Sequence, residues 1–251
     1  GGIDIQLINE VKFASGFYFT SAITYQLTNS FKRLRDFPDS PYLPHVRTDV
    51  IKYLNNRPDL YLNNLQLDKF SKIINGHYFK LSAGIYEMMF GGYGVEYLWK
   101  PFKSNVSVGI NLYQVKQRDF EQRLGFSNYE TSTGHSNFIY FHPESGLTVD
   151  LSIGKYLAGD KGYTFDLSRR FKSGFKMGAY FTRTNISKIE YGEGSFDKGF
   201  YFEIPLNANK GVTNFTIQPL TRDGGAKLKT NNPLIKSIIG GTSYDYNFYL
   251  D

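Results

Sequence analysis

Val106-Ser107-Val108-Gly109-Ile110-Asn111-Leu112 and, further on, Leu147-Thr148-Val149-Asp150-Leu151-Ser152-Ile153-Gly154 place an aliphatic residue at every second position and a small or polar one between. Successive side chains of a β-strand point to opposite faces, so period two means a strand with one apolar and one polar face. Such a strand suits a water-soluble sheet laid over a core, or a membrane barrel around an aqueous interior.

The same alternation extends outward from these two segments. Strands are expected over residues 3–11 and 17–28, joined by a hairpin at Ala14, Ser15 and Gly16. Further strands are expected over 60–70, 78–86, 93–100, 106–118, 135–141, 147–156, 163–171, 175–184, 199–206 and 213–220, with a last one over 243–250 and a short connection at 128–133. Residues 32–59 break the pattern with Pro38, Pro41 and Pro44 and form a loop insertion. Within it Val46, Val50 and Leu54, with Ile51 beside them, predict a short amphipathic helix near 46–54 that plugs an interior, covers a barrel mouth or lies on the surface. About a dozen antiparallel strands without domain punctuation predict an all-β chain: one β-barrel domain over 1–251, or part of a larger barrel.

Composition narrows the function. Phe (22), Tyr (20) and Gly (25) are abundant while hydrophobic residues reach only 41%. A membrane barrel whose interior positions are polar has that balance, and so does a carbohydrate-binding sandwich. No run of about 18 apolar residues predicts a transmembrane helix. The absence of cysteine excludes disulfides, thiolate metal sites and a cysteine nucleophile. The net charge of +6 favours an acidic glycan or anionic lipid, whereas basic residues scattered among strands fit nucleic acid poorly. The chain starts Gly1-Gly2-Ile3-Asp4, which reads as a processed, truncated or partial polypeptide.

Five blocks carry more specific information: Gly91-Gly92-Tyr93-Gly94-Val95-Glu96, Val115 to Phe120, Gly154 to Leu167, Gly192 to Ile204, and Pro219-Leu220-Thr221-Arg222-Asp223-Gly224-Gly225-Ala226. Taken together they resemble the YjbH-like outer-membrane lipoproteins associated with exopolysaccharide or capsule production. The resemblance covers most of the chain and implies a bacterial outer-membrane β-barrel that assists secretion, assembly or surface organisation of polysaccharide. Its implied partners are envelope polysaccharide, outer-membrane lipid, and periplasmic or outer-membrane assembly proteins. Members of that family are longer, and this chain looks like their carboxy-terminal barrel-forming portion. The family offers no catalytic motif and no cofactor to carry over.

Within such a barrel Glu96, Asp150, Asp166, Arg169 and Glu203 are expected to face water or glycan rather than lipid, with Tyr201 beside them. Paired charges that only stabilise the interior would give the same pattern. Tyr18, Tyr78, Tyr97, Tyr113, Tyr180 and Tyr201 suit either sugar stacking or an interfacial girdle. Enzyme chemistry has weak support. His45, His77, His135 and His142 lack metal-ligand spacing, Ser195 is not in a nucleophile elbow, and Glu193 with Asp197 reads as a polar turn before it reads as a carboxylate pair for glycan hydrolysis. The expectation is a noncatalytic export barrel, with an interaction barrel that does not conduct polymer as the alternative.

Overall fold

Alternating segments that expose an apolar face can satisfy their backbone only by pairing with one another, and here every strand pairs with the next in the chain. A computed structural model describes residues 2–29, 42–191, 196–206, 211–217 and 223–239. Among the described residues, twelve strands run β1 (Gly2–Phe13), β2 (Phe17–Asn29), β3 (Leu60–Ile74), β4 (His77–Ile85), β5 (Phe90–Trp99), β6 (Val106–Arg118), β7 (Phe126–His142), β8 (Leu147–Lys155), β9 (Lys161–Arg170), β10 (Lys176–Thr184), β11 (Asp197–Leu206) and β12 (Gly211–Ile217). They form one antiparallel meander in chain order. Among the described residues no ladder joins β1 to β12, so the sheet is an open array rather than a closed barrel. The expected strand over 243–250 lies outside the described residues.

The short connection expected at 128–133 is instead part of the first half of β7, paired along β6 with Thr131 opposite Val115 and Thr133 opposite Tyr113. Both faces of that stretch are polar, so it lacks the alternation that marks a strand, and its neighbours' ladders supply what its side chains do not. The insertion yields α1 (Val50–Asn56), which starts later than the expected 46–54. Its buried residues are Ile51 and Tyr53, while Val46 is buried ahead of it in the turn that follows Pro44.

Register gives the two faces opposite characters. Leu147, Val149, Leu151 and Ile153 lie opposite Arg169, Leu167, Phe165 and Tyr163 on one face. Val106, Ile110, Leu112, Phe138, Leu167 and Phe200 share that outer face and are exposed, Leu112 to 57%. The other face carries Gln66, Asp68, Lys80, Ser82, Glu96, Thr133, Asn137 and Ser152, all buried. Apolar outside and polar inside is the reverse of a soluble sheet over a core.

A segment near the C-terminus, residues 223–239 ending in α3 (Leu234–Ile239), covers the polar face. Gly225 sits so close to β10 that a Cβ there would come within 2.8 Å of Thr182 Cγ2. Six residues on, Asn231 is bonded to Gln66 of β3. A flat array would hold β3 and β10 seven interstrand steps, or roughly 34 Å, apart. Six extended residues cover roughly 21 Å. The sheet therefore curls around this strap, and the polar face is concave.

The two rims differ. On one, the connections are the turn Ala14–Gly16, the Gly76 turn, and the links after β5, β7 and β9. The opposite rim carries the insertion, the β6–β7 and β8–β9 connections and α2 (Lys188–Tyr191). There Val46 and Tyr53 pack on Tyr86, Met89, Phe90, Val115 and Leu157, so the insertion covers that mouth.

Arg118 ties this cover together. Its buried guanidinium donates to the carbonyls of Leu62 (2.9 Å), Glu87 (3.1 Å), Met88 (3.3 Å) and Arg123 (2.9 Å). Its own carbonyl accepts from Tyr53 Oη. Arg118→Met leaves those carbonyls without a donor, at about 1–3 kcal/mol for each one that water does not reach. The expected result is a loss of about 3–5 kcal/mol in denaturant unfolding in detergent; a loss under about 1 kcal/mol would contradict it.

Candidate functional site

The inner face gathers charge into two groups. In the first, adjacent strands β3, β4 and β5 present Asp68, Lys80 and Glu96 at even positions on the inner face, with Lys80 directly opposite Glu96 and one diagonal step from Asp68, which faces Ser82. Lys80 Nζ lies 3.4 Å from Asp68 Oδ1 and 3.2 Å from Glu96 Oε1, and both Lys80 and Asp68 are 0% exposed. Gln66 Nε2 donates to both Asp68 oxygens at 2.8 Å. Tyr113 Oη donates to Glu96 Oε1. Gly94 makes this reach available, because a Cβ there would overlap the Tyr113 ring lying across it.

The strap docks on this group through its backbone. Asn231 N–H donates to Gln66 Oε1 (3.0 Å), and the Asn231 carbonyl accepts from Gln66 Nε2 (2.9 Å) and Lys80 Nζ (3.1 Å). Asn232 turns its carbonyl onto Lys80 Nζ (3.0 Å) at a left-handed φ of 48°, a conformation asparagine tolerates. Pro233 precedes α3, and the Leu234 N–H donates to Glu96 Oε2 at 2.6 Å. Leu234 and Ile238, one turn apart, bury against Tyr18, Phe70, Tyr78 and Leu98 of the inner face.

The strap's other end is held the same way. Gly225 N–H donates to Asp160 Oδ2 (2.8 Å), Leu157 N–H to the Ala226 carbonyl (2.9 Å), and Arg47 to the Lys227 carbonyl (2.7 Å). Asp223 accepts from the Arg47 and Thr48 amides and from Thr48 Oγ1. Burial raises the Asp160 carboxyl above its usual range, with the Gly225 amide pulling it back. Parts of four of the five sequence blocks, around Gly94, Arg118, Asp160 and Asp223, thus meet at the strap and the mouth it approaches.

The second group runs across β8 to β11. Asp150 and Asp166 are directly opposite across β8 and β9, an arrangement that opposes like charges. Tyr201 Oη reaches Asp166 Oδ1 at 3.0 Å, and Glu203 accepts from Arg170 (3.3 Å) and Lys176 (3.4 Å). Lys227 of the strap lies in the field of both aspartates. Between the groups a cavity of about 110 Å³ is lined by Glu96, Asn111, Thr133, His135, Lys227 and Thr230, among others. The buried His135 Nε2 has no hydrogen-bond partner among the described residues.

Burial pushes the Lys227 ammonium down from 10.5 to about 8, against the pull of Asp150 and Asp166. The unfolded chain keeps that proton to higher pH than the folded one. The cost of burying the charge is therefore fully present below pH 8, and stability rises as pH climbs from about 8 towards the ordinary lysine range. Thermal unfolding in detergent between pH 7 and 10 is expected to show this rise and Lys227→Met to flatten it; identical profiles would contradict it.

Of the expected site residues, Glu96 belongs to the first group, and Asp150, Asp166, Tyr201 and Glu203 to the second. Arg169 does not face the interior. It shares the outer face with Leu147 and Met177, stacks over Phe171 at 4.8 Å and donates to the Ser145 carbonyl at the strand end. Its odd position puts it in phase with Phe165 and Leu167, which overrides its charge. Tyr18, Tyr78, Tyr113, Tyr180 and Tyr201 point inward by register, which removes them from an outer girdle; Tyr97 points outward and bonds His77 at 2.7 Å. The exposed outer tyrosines and tryptophan among the described strands include Tyr25, Tyr93, Trp99, Tyr140 and Tyr163. Glu193 and Ser195 lie outside the described residues. Among the described residues no three His, Asp or Glu side chains converge as metal ligands, and no helix is long and apolar enough to cross a membrane.

The family model described as "Exopolysaccharide biosynthesis protein YbjH" matches residues 2–239. The chain belongs to this YjbH family. A curated relative, "Uncharacterized lipoprotein YjbH" of Escherichia coli (strain K12), is 41% identical over 221 residues, covering 83% of this chain and 31% of the relative. The chain thus spans about a third of that relative's length. No solved structure matches.

Proposed function

We propose that this chain is a noncatalytic outer-membrane β-barrel, or a portion of one, that assists export and surface assembly of exopolysaccharide. The observation that carries this reading is the inverted sheet: apolar side chains exposed on the convex face, charged and amide side chains buried on the concave one. An array of that kind is stable where hydrocarbon surrounds it. Strands β4, β5, β8, β9, β10 and β11 have 9 or 10 residues, the length that crosses a bilayer when tilted. Short turns on one rim and the longer insertion on the other match periplasmic and extracellular sides. Closure would come from β1 meeting β12 or further strands. The family's link to exopolysaccharide biosynthesis and the relative's description as a lipoprotein support an envelope role. Deletion of the gene, with polymer synthesis and surface polymer measured separately, tests this: synthesis is expected to persist while surface polymer falls, and unchanged surface polymer would overturn the reading.

The strap inside the concavity favours one alternative, an interaction barrel that organises envelope partners without conducting polymer. Mass measurement in mild detergent separates the two. A reproducible partner together with normal surface polymer in the deletion strain would favour the alternative.

A further inference from the structure

The strap is bound in an unusual way for a segment of the fold. It adds no strand to the sheet, and from Gly225 to Leu234 most of its hydrogen bonds to the rest of the fold use peptide groups, the amides of 225, 231 and 234 and the carbonyls of 226, 227, 231 and 232, with the Thr230 side chain bonded to Tyr113 beside them. The inner face therefore recognises it as a linear polar chain, through a carboxamide at Gln66, an ammonium at Lys80 and a carboxylate at Glu96. These groups offer donors and acceptors side by side, the pattern that pairs with hydroxyls of a sugar chain.

The strap also fits the concavity incompletely. The cavity beside it is walled by Asn111, Thr133, His135 and Thr230 on its polar side and by Leu228 and Ile235 on the other, and His135 Nε2, buried there, lacks a partner among the described residues. A hydroxylated ligand in that space would satisfy it, whereas nothing apolar would. Displacing the strap costs its hydrogen bonds to the inner face and rim and the burial of α3, and leaves every sheet ladder intact.

We infer that residues 226–233 occupy a polysaccharide-binding track, and that strap and polymer compete for Gln66, Lys80 and Glu96. This rests on the export reading above and deepens it: the strap is the resident occupant that a hydroxyl-rich glycan replaces during passage.

Holding the strap in place tests the inference. A Cβ built on Gly109 lies 3.1 Å from Ile235 Cγ1, where a cysteine sulfur would sit. A disulfide places one Cβ about 3 Å from the far sulfur, so Gly109→Cys with Ile235→Cys suits a bond between β6 and α3. The chain has no other cysteine to compete. With each single variant exporting normally, the oxidised double variant is expected to lower surface polymer at least tenfold and a reducing pulse to restore it. Export by the fully crosslinked protein at the level of the single variants would overturn the inference. Unchanged surface polymer on gene deletion would instead overturn the export reading itself.

A second measurement needs no substitution. Oligosaccharides cut from the host's own exopolysaccharide, added to the purified chain in mild detergent, are expected to speed amide hydrogen exchange at Asn231 and Leu234. Unaltered exchange at saturating oligosaccharide would count against competition.

Discussion

Leu151→Arg is expected to remove the protein from the assembled membrane fraction, with little heat-modifiable, protease-resistant material recovered. Leu151 is the middle residue of β8, on the outer face between Val149 and Ile153 and opposite Phe165. If hydrocarbon covers that face, an arginine at mid-strand costs about 2–4 kcal/mol. The neighbouring change Asp150→Asn points to the interior and removes one of two opposed carboxylates, so it is expected to assemble normally. The contrast between adjacent positions is the informative result, because general fragility of β8 would affect both. Normal assembly of Leu151→Arg would place water, not lipid, on that face.

Lys80→Met carries the second large effect, and it acts from the inside. The ammonium is fully buried between Asp68 and Glu96 and also holds two strap carbonyls. Removing it leaves two carboxylates facing each other with no cation, a change that costs about 3–5 kcal/mol at buried ion pairs. Denaturant unfolding in detergent is expected to show that loss, and limited proteolysis to cut within residues 224–233, where the strap has lost its anchor. Adding Asp68→Asn and Glu96→Gln to the same chain is expected to recover most of the stability but not the protection of the strap. A Lys80→Met protein within about 0.5 kcal/mol of the parent would mean that water already reaches the group.

The sheet was legible wherever one face is apolar. Val106 to Leu112 and Leu147 to Ile153 announce their strands and their outward faces because hydrophobic side chains recur with period two. The first half of β7 was not legible, since Asn128, Glu130 and Ser132 on one face and Tyr129, Thr131 and Thr133 on the other supply no contrast. The onset of α1 is hidden for a related reason: Val46 continues the helical spacing, yet the amides of Arg47 and Thr48 turn aside to bind Asp223, which sequence spacing cannot reveal.

The site was half legible. Glu96, Asp150, Asp166, Tyr201 and Glu203 stand out of phase with apolar neighbours, and the same parity marks Lys80 between Phe79 and Leu81, whereas Asp68, with Leu67 on one side and Lys69 on the other, is only half marked. Arg169 shows that parity outranks charge near a strand end, where an outward guanidinium is exposed. The strap left little trace in the pattern, because most of its hydrogen bonds come from peptide groups, which every residue carries.

A single-cysteine scan along residues 147–155 tests the central claim most directly, since the chain contains no cysteine to interfere. Each variant is spin-labelled and reconstituted into lipid vesicles, and its collisions with oxygen, enriched in hydrocarbon, are compared with those of a water-soluble nickel complex. The account predicts that labels at 149, 151 and 153 favour oxygen while those at 150 and 152 do not, with a strict period of two. Equal access of the nickel complex to 149, 151 and 153 would contradict it.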